Sequence, residues 1–322
     1  MIWGNWGLTF NILSIVIISL YFSLSLISVV VYLVSNKLNR FTAKARLRLL
    51  WCVGLLPWLV SFICVGLQII PEMSSSNETW LSNFVHWHHI YNFEIFSWHG
   101  ATLFVFGLIF FSVCFTKLVK VIKANTQLDQ LDFFVKSSSS DHGLTVVESQ
   151  QHQAFTSGFF SPKSYITSGL RDQLTQQELL VIAQHESAHA ETRDPLRKFC
   201  FSLLAAFFPK HVEQQLNDWF SLALEQIADD SVLGSGNDET VISKTMLKVS
   251  GLRSKVTGAP LSLLNCQFSA HPLNLRIRYL LNDNKGRSFP FAVFFIFAIT
   301  VTLLSTLSID LMHHALEKLF VH

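Results

Sequence analysis

Thr175-Gln176-Gln177-Glu178-Leu179-Leu180-Val181-Ile182-Ala183-Gln184-His185-Glu186-Ser187-Ala188-His189 is the stretch from which the rest of the chain can be read. Its first four residues form a capping box, in which a threonine hydroxyl and a glutamate three positions later satisfy each other's backbone N–H groups at a helix start. Leu179, Leu180, Ile182 and Ala183 continue the helix, and neither Gly nor Pro interrupts it before Pro195. His185 and His189 therefore fall on one face. Residues so spaced have Cβ atoms about 6 Å apart, and two imidazoles can each reach one zinc ion at about 2.0 Å. Glu186 projects from a neighbouring direction, where its carboxylate can take a proton from a metal-activated water.

A catalytic zinc takes three protein ligands and leaves one position open. A second helix reads from about His211 to Leu233 and is stopped by Gly234-Ser235-Gly236. Within it, Glu225 and Asp229 stand four apart in apolar company. Glu225 is the expected third ligand, and Asp229 is expected to accept the free ring N–H of a ligand histidine and fix its tautomer. Glu191, Asp194 and Glu213 are the other candidates for that ligand. Glu191 is two residues past His189 and points to another face, while Asp194 is expected beside the ligands with Asp229.

Around this motif the composition is that of a membrane protein. Half of the 322 residues are hydrophobic and 14% are charged, against about a quarter in soluble domains, and the mean hydropathy is +0.38. A net charge of +2 without a basic patch gives nucleic acid nothing to hold. Cys52, Cys64, Cys114, Cys200 and Cys266 form no C-x-x-C pair, so neither a disulfide framework nor a cysteine metal site is expected. Four uncharged stretches are long enough to span a bilayer, roughly Phe10 to Val34, Leu49 to Ile70, Ile95 to Thr116 and Phe289 to Ile309.

Basic residues orient these spans. Lys37, Arg40, Lys44, Arg46 and Arg48 fill the first loop, and Lys117, Lys120 and Lys123 follow the third span, whereas residues 49–116 contain no Lys or Arg. The first loop and the long insert are therefore expected in the cytosol, with both termini outside. The insert begins with strand-like alternation at Leu131 to Val135, a turn at Ser137 to Gly143, and strands at Leu144 to Val147 and Ser164 to Thr167. Phe199 to Phe208, between the ligand segments, reads equally as an amphipathic piece on the bilayer or as a buried core helix.

The order Gly158-Phe159-Phe160-Ser161-Pro162 to Gly169-Leu170, then His185-Glu186-x-x-His189, Asp194-Pro195-Leu196 and Glu225 to Asp229 resembles the gluzincin membrane peptidases. Two branches are similar. The antirepressor peptidases, which include the beta-lactam-sensing receptors, place three spans before a cytosolic zinc domain and a fourth after it. In the HtpX and CAAX-prenyl protease group, spans separate the two ligand segments, and Phe199 to Phe208 is too short to cross. His271-Pro272-Leu273-Asn274-Leu275-Arg276-Ile277 nevertheless resembles the H-P-x-x-x-R-I segment of that second group. That likeness implies that His271 acts in catalysis, stabilising an oxyanion, and that Arg276 meets substrate. The alternative is a helix start with Pro272 at its first position. The beta-lactam receptors continue into an external penicillin-binding domain that this sequence does not show, so drug sensing is not carried over.

The expectation is thus a mainly α, integral membrane fold: four transmembrane helices with an α+β zinc-peptidase domain inserted between the third and fourth. Residues 1–116 would hold three spans, 117–288 the peptidase domain, and 289–322 the last span. One zinc ion is expected per chain. The strand around Tyr165 is expected to pair with extended substrate as an edge strand. Expected partners are the lipid bilayer and a protein substrate such as a winged-helix repressor or the chain itself, in a bacterial cell membrane, with oligomers open. His86, His88, His89 and His99, among Trp80, Trp87 and Trp98, read either as an interfacial aromatic belt or as an external metal sensor. The rival functions are quality control of membrane proteins and a non-proteolytic metal sensor or scaffold.

Overall fold

The computed structural model describes residues 1–73, 91–254, 266–267, 273–282 and 286–320. A two-residue strand β1 (Ile2–Trp3) precedes α1 (Asn5–Val34), a 3-10 turn (Ser35–Arg40) and α2 (Ala43–Met73). Strand β2 (Asn92–Phe93) pairs with β1 and leads into α3 (Trp98–Phe134); α10 (Phe291–Phe320) ends the described chain. Asn5–Val34, Ala43–Ile69, Trp98–Lys120 and Phe291–Ile309 are each long and apolar enough to cross a membrane, and they overlap the four spans expected from the sequence, with ends that differ by up to a few residues. The serines of α1 meet the demand that polar groups be satisfied within the segment: Ser14, Ser19, Ser23 and Ser28 each donate to a carbonyl three or four residues back.

Between α3 and α10 the described residues form a five-stranded sheet and six helices. The strands are β3 (Val135–Asp141), β4 (Leu144–Val147), β5 (Ala154–Ser157), β6 (Lys163–Thr167) and β7 (Cys266–Gln267), in the order β3-β4-β6-β5-β7. Only β4 and β6 run parallel. A short α4 (Ser168–Arg171) leads to α5 (Gln176–Glu191), then α6 (Asp194–Ala205), α7 (Lys210–Gly234), α8 (Glu239–Ser254) and α9 (Leu273–Leu280).

The sheet corrects two expectations. Residues 131–134 are the end of α3, because no Gly or Pro between Gly107 and Gly143 stops that helix, and the strand occupies 135–141 instead. Tyr165 does not stand on an edge: β6 is held between β4 and β5, so its backbone groups are already paired and cannot take a substrate strand. The edges are β3 and β7.

Phe199 to Phe208 packs as core. Phe201 is fully buried, stacked on Phe220 of α7 at 4.0 Å and edge-on to Trp51 of α2 at 5.7 Å. Phe207, in the turn between α6 and α7, meets Trp58 of α2 and Phe110 of α3. Gly54 makes the approach close, since a Cβ there would already touch Phe201 and Leu204. The α6–α7 hairpin is thus part of one apolar core with the long helices, and a second core joins the sheet to α5, α8 and α9.

Candidate metal centre

The capping box is present in α5: Thr175 Oγ1 accepts from the Glu178 N–H, and Glu178 Oε2 accepts from the Thr175 N–H at 2.8 Å. Leu179, Val181, Ile182 and Ala183 are buried in the second core, which sets the rotation of the helix and turns His185, Glu186 and His189 inward to 1% exposure or less. After α5 the backbone takes a left-handed turn at Arg193, φ 52°, and Pro195 sits in the first turn of α6. This sharp reversal carries Asp194 back beside His189.

α5 and α7 pack together and bring the candidate ligands to one point. The two Nε2 atoms of His185 and His189 are 3.1 Å apart. Glu225 Oε2 is 3.5 Å from the first and Oε1 is 3.8 Å from the second. Two ligands of a single tetrahedral zinc, each at 2.0–2.1 Å, are separated by about 3.3 Å. The donor set therefore fits a zinc ion. Asp229 Oδ1 lies 3.1 Å from His185 Nδ1 and Asp194 Oδ2 lies 2.8 Å from His189 Nδ1. Each imidazole thus directs Nδ1–H at a carboxylate and leaves the Nε2 lone pair for the metal. Arg197 in turn holds the other Asp194 oxygen at 2.7 Å.

The electrostatics depend on Arg276. Its guanidinium is fully buried, bonded to both Asp229 oxygens at 2.9 and 2.6 Å and 3.2 Å from Glu225 Oε2. Burial alone would push both carboxyls up. The Arg276 charge acts with other groups to overcome it: with Lys198, at 3.5 Å, and the two histidines it holds Glu225 well below the usual carboxylate range, and with its own hydrogen bonds and His185 it holds Asp229 below that range. Both remain anionic. Asp194 is likewise pulled below its ordinary value, against burial, by the hydrogen bond and charge of His189 and by Arg197.

Glu186 is different. Burial pushes its carboxyl up, opposed by His189, His185 and the Thr156 hydroxyl, which donates to Oε2 at 2.7 Å. Its Oε1 is buried with no hydrogen-bond partner. An unsatisfied carboxylate oxygen beside three converging ligand atoms is what a base needs to meet a water.

His185, Glu186, His189, Glu225, Asp229 and Asp194 are therefore together. Arg276 is also here, but as a clamp on two carboxylates, with its nitrogens turned to Asp229 and Glu225 instead of open to substrate. Tyr165 is buried and stacked on Phe155 at 5.3 Å, on a strand that lies inside the sheet. His271 lies outside the described residues, as do His86, His88 and His89; His99 stacks against Trp98 at the start of α3. Glu191 accepts from Ser187 on the exposed side of α5, and Glu213 pairs with Lys117. Thr156 and Lys198 were not foreseen. Nothing in Ala154-Phe155-Thr156-Ser157 marks a site, and its strand reaches Glu186 only through the sheet.

Residues 125–283 match the model of peptidase family M48. The match, with the buried His-His-Glu grouping, supports a metallopeptidase of the M48 type. No curated protein matches the chain.

Proposed function

We propose that the chain is a membrane-embedded zinc metalloendopeptidase with its active site on the cytosolic side. The observation that carries this reading is the convergence of His185, His189 and Glu225 beside the unpartnered oxygen of Glu186. A bound zinc would supply a Lewis acid for the scissile carbonyl and lower the pKa of water. His185 and His189 would hold it through Nε2, with Asp229 and Asp194 fixing their tautomers, and Glu225 would complete the set. Glu186 takes the proton of the attacking water on Oε1 and returns it to the leaving amine, while Thr156 keeps the carboxylate oriented. A metal sensor or scaffold has no use for such a base.

The biological role we favour is signalling, in which a cue reaching the spans directs cleavage of a repressor or of the chain itself. Its support is mechanical: α7, which carries Glu225, shares one apolar core with α1 and α2, so movement of the spans reaches a ligand without a linker. Quality control of membrane proteins in the manner of the HtpX group is the second reading.

The test uses purified full-length protein with a chelator. Peptide-bond cleavage should disappear on chelation and return with stoichiometric zinc; cleavage that persists in the metal-free protein would refute the reading. Comparing cleaved proteins in cells then separates the roles, since signalling predicts one regulator or self-cleavage and quality control predicts many membrane substrates.

A further inference from the structure

Arg46, in the first turn of α2, is 1% exposed, although arginine is almost never so buried without an anionic partner. Its Nη1 donates to Asn39 Oδ1 at 3.3 Å, its Nη2 donates to Gln226 Oε1, and its guanidinium carbon lies 5.6 Å from the centre of the Trp219 ring. All three partners are neutral. Its Nε–H is buried with no acceptor, and among the described residues no carboxylate pairs with it. Arg276 shows the contrast, because that buried guanidinium is neutralised by two carboxylates.

Beside Arg46 lies a cavity of about 240 Å³. Arg46, Arg278, Asn39, Gln226, Asn282, Leu275 and Tyr279 line it, and among the described residues no acidic one does. We propose that this cavity binds a phosphate group. A planar guanidinium donates to two phosphate oxygens at once, Arg278 brings a second cation from the exposed side, and the amides can donate to the remaining oxygens. An anion here would supply the charge that the described residues do not give this desolvated arginine.

Two sources share this chemistry, a phospholipid headgroup and a soluble phosphate compound. The first gains support from a neighbouring cavity of about 260 Å³ with apolar walls, which include Leu38, Leu50 and Phe297. Leu38 adjoins Asn39 in the chain, and Leu50 is one helical turn from Arg46, so the polar and apolar cavities flank the same corner. An acyl chain in one and a phosphate in the other would suit a single amphiphile.

The site also touches the metal centre at two points. Gln226, which accepts from Arg46 and donates to the Leu275 carbonyl at 3.2 Å, follows Glu225, and Leu275 precedes Arg276. A phosphate held here would tie α2, α7 and α9 together. The inference does not depend on the peptidase reading.

The test is thermal unfolding of the full chain, purified in a maltoside detergent that carries no phosphate. Inorganic phosphate is compared with chloride at equal ionic strength, and phosphatidylglycerol with diacylglycerol, which has the same chains and no phosphate. A rise of several degrees in the midpoint with inorganic phosphate assigns the cavity to soluble phosphates; a rise with phosphatidylglycerol alone assigns it to a headgroup. In either case Arg46→Gln and Arg278→Ala should abolish the rise. Should Arg46→Gln fail to fold, Arg278→Ala carries the test, since that side chain is exposed. No rise from either phosphate source, or an undiminished rise in Arg278→Ala, would overturn the proposal.

Discussion

Arg276 grips Asp229 through two nitrogens, Nε at 2.9 Å and Nη2 at 2.6 Å, and both side chains are shut away from solvent. The third nitrogen faces Glu225, so a single cation from α9 neutralises two carboxylates of α7. Removing one member of such a group leaves uncompensated buried charge. Arg276→Gln should therefore cost about 3–5 kcal/mol of stability, read by chemical denaturation in detergent. Arg276→Lys should recover only part, because an ammonium cannot span both oxygens of Asp229. A loss within experimental error for the glutamine variant would show that the clamp contributes nothing.

Asp194 has a narrower task. It accepts from His189 Nδ1 at 2.8 Å and is itself held by Arg197, so Asp194→Asn should leave the fold intact while weakening the control of the imidazole. Zinc affinity should fall roughly 10- to 100-fold, measured by competition with a chromogenic chelator. Unchanged affinity would reduce Asp194 to a helix-start residue.

Thr156 is one of the groups that oppose the effect of burial on Glu186, with His189 and His185. The hydroxyl favours the ionised carboxylate, whereas burial favours the protonated form. With the hydroxyl gone, Glu186 should hold its proton to higher pH, so Thr156→Val should move the acidic limb of the pH profile of kcat/KM upward. Thr156→Ser should restore it. A limb that stays in place, or moves down, would contradict the role given to Glu186.

Gly54 tests how the hairpin meets the long helices. A Cβ at this position would lie 3.4 Å from Phe201 and 3.7 Å from Leu204, which is ordinary contact. Gly54→Ala should thus be tolerated, with helix propensity in its favour by roughly 0.5–1 kcal/mol. Gly54→Leu has nowhere to place its branch and should cost about 1–3 kcal/mol. Equal stability of the two variants would mean that α6 does not seat on α2.

What the sequence made legible was local. The four apolar stretches, the capping box and the helix through Glu225 follow from composition, spacing and stop signals within a few turns, and the six residues they single out lie close together in the structure. Long-range pairing was less accessible. Tyr165 looked like an edge residue because its strand neighbours are set by β4 and β5, which meet it from either side. Leu131 to Phe134 alternates well enough to read as strand, yet it continues a helix that nothing interrupts. Arg276 resembled a substrate residue by motif, and only the fold of α9 against α7 shows it committed to Asp229 and Glu225. Thr156 carries no signal at all.

The central claim is that His185, His189 and Glu225 hold a zinc ion and Glu186 acts as the base beside it. The most direct measurement is bound zinc and peptide cleavage on the same preparations of wild type and Glu186→Gln. The account predicts that the variant keeps one zinc per chain and loses cleavage; cleavage at the wild-type rate with Gln at 186 would contradict it.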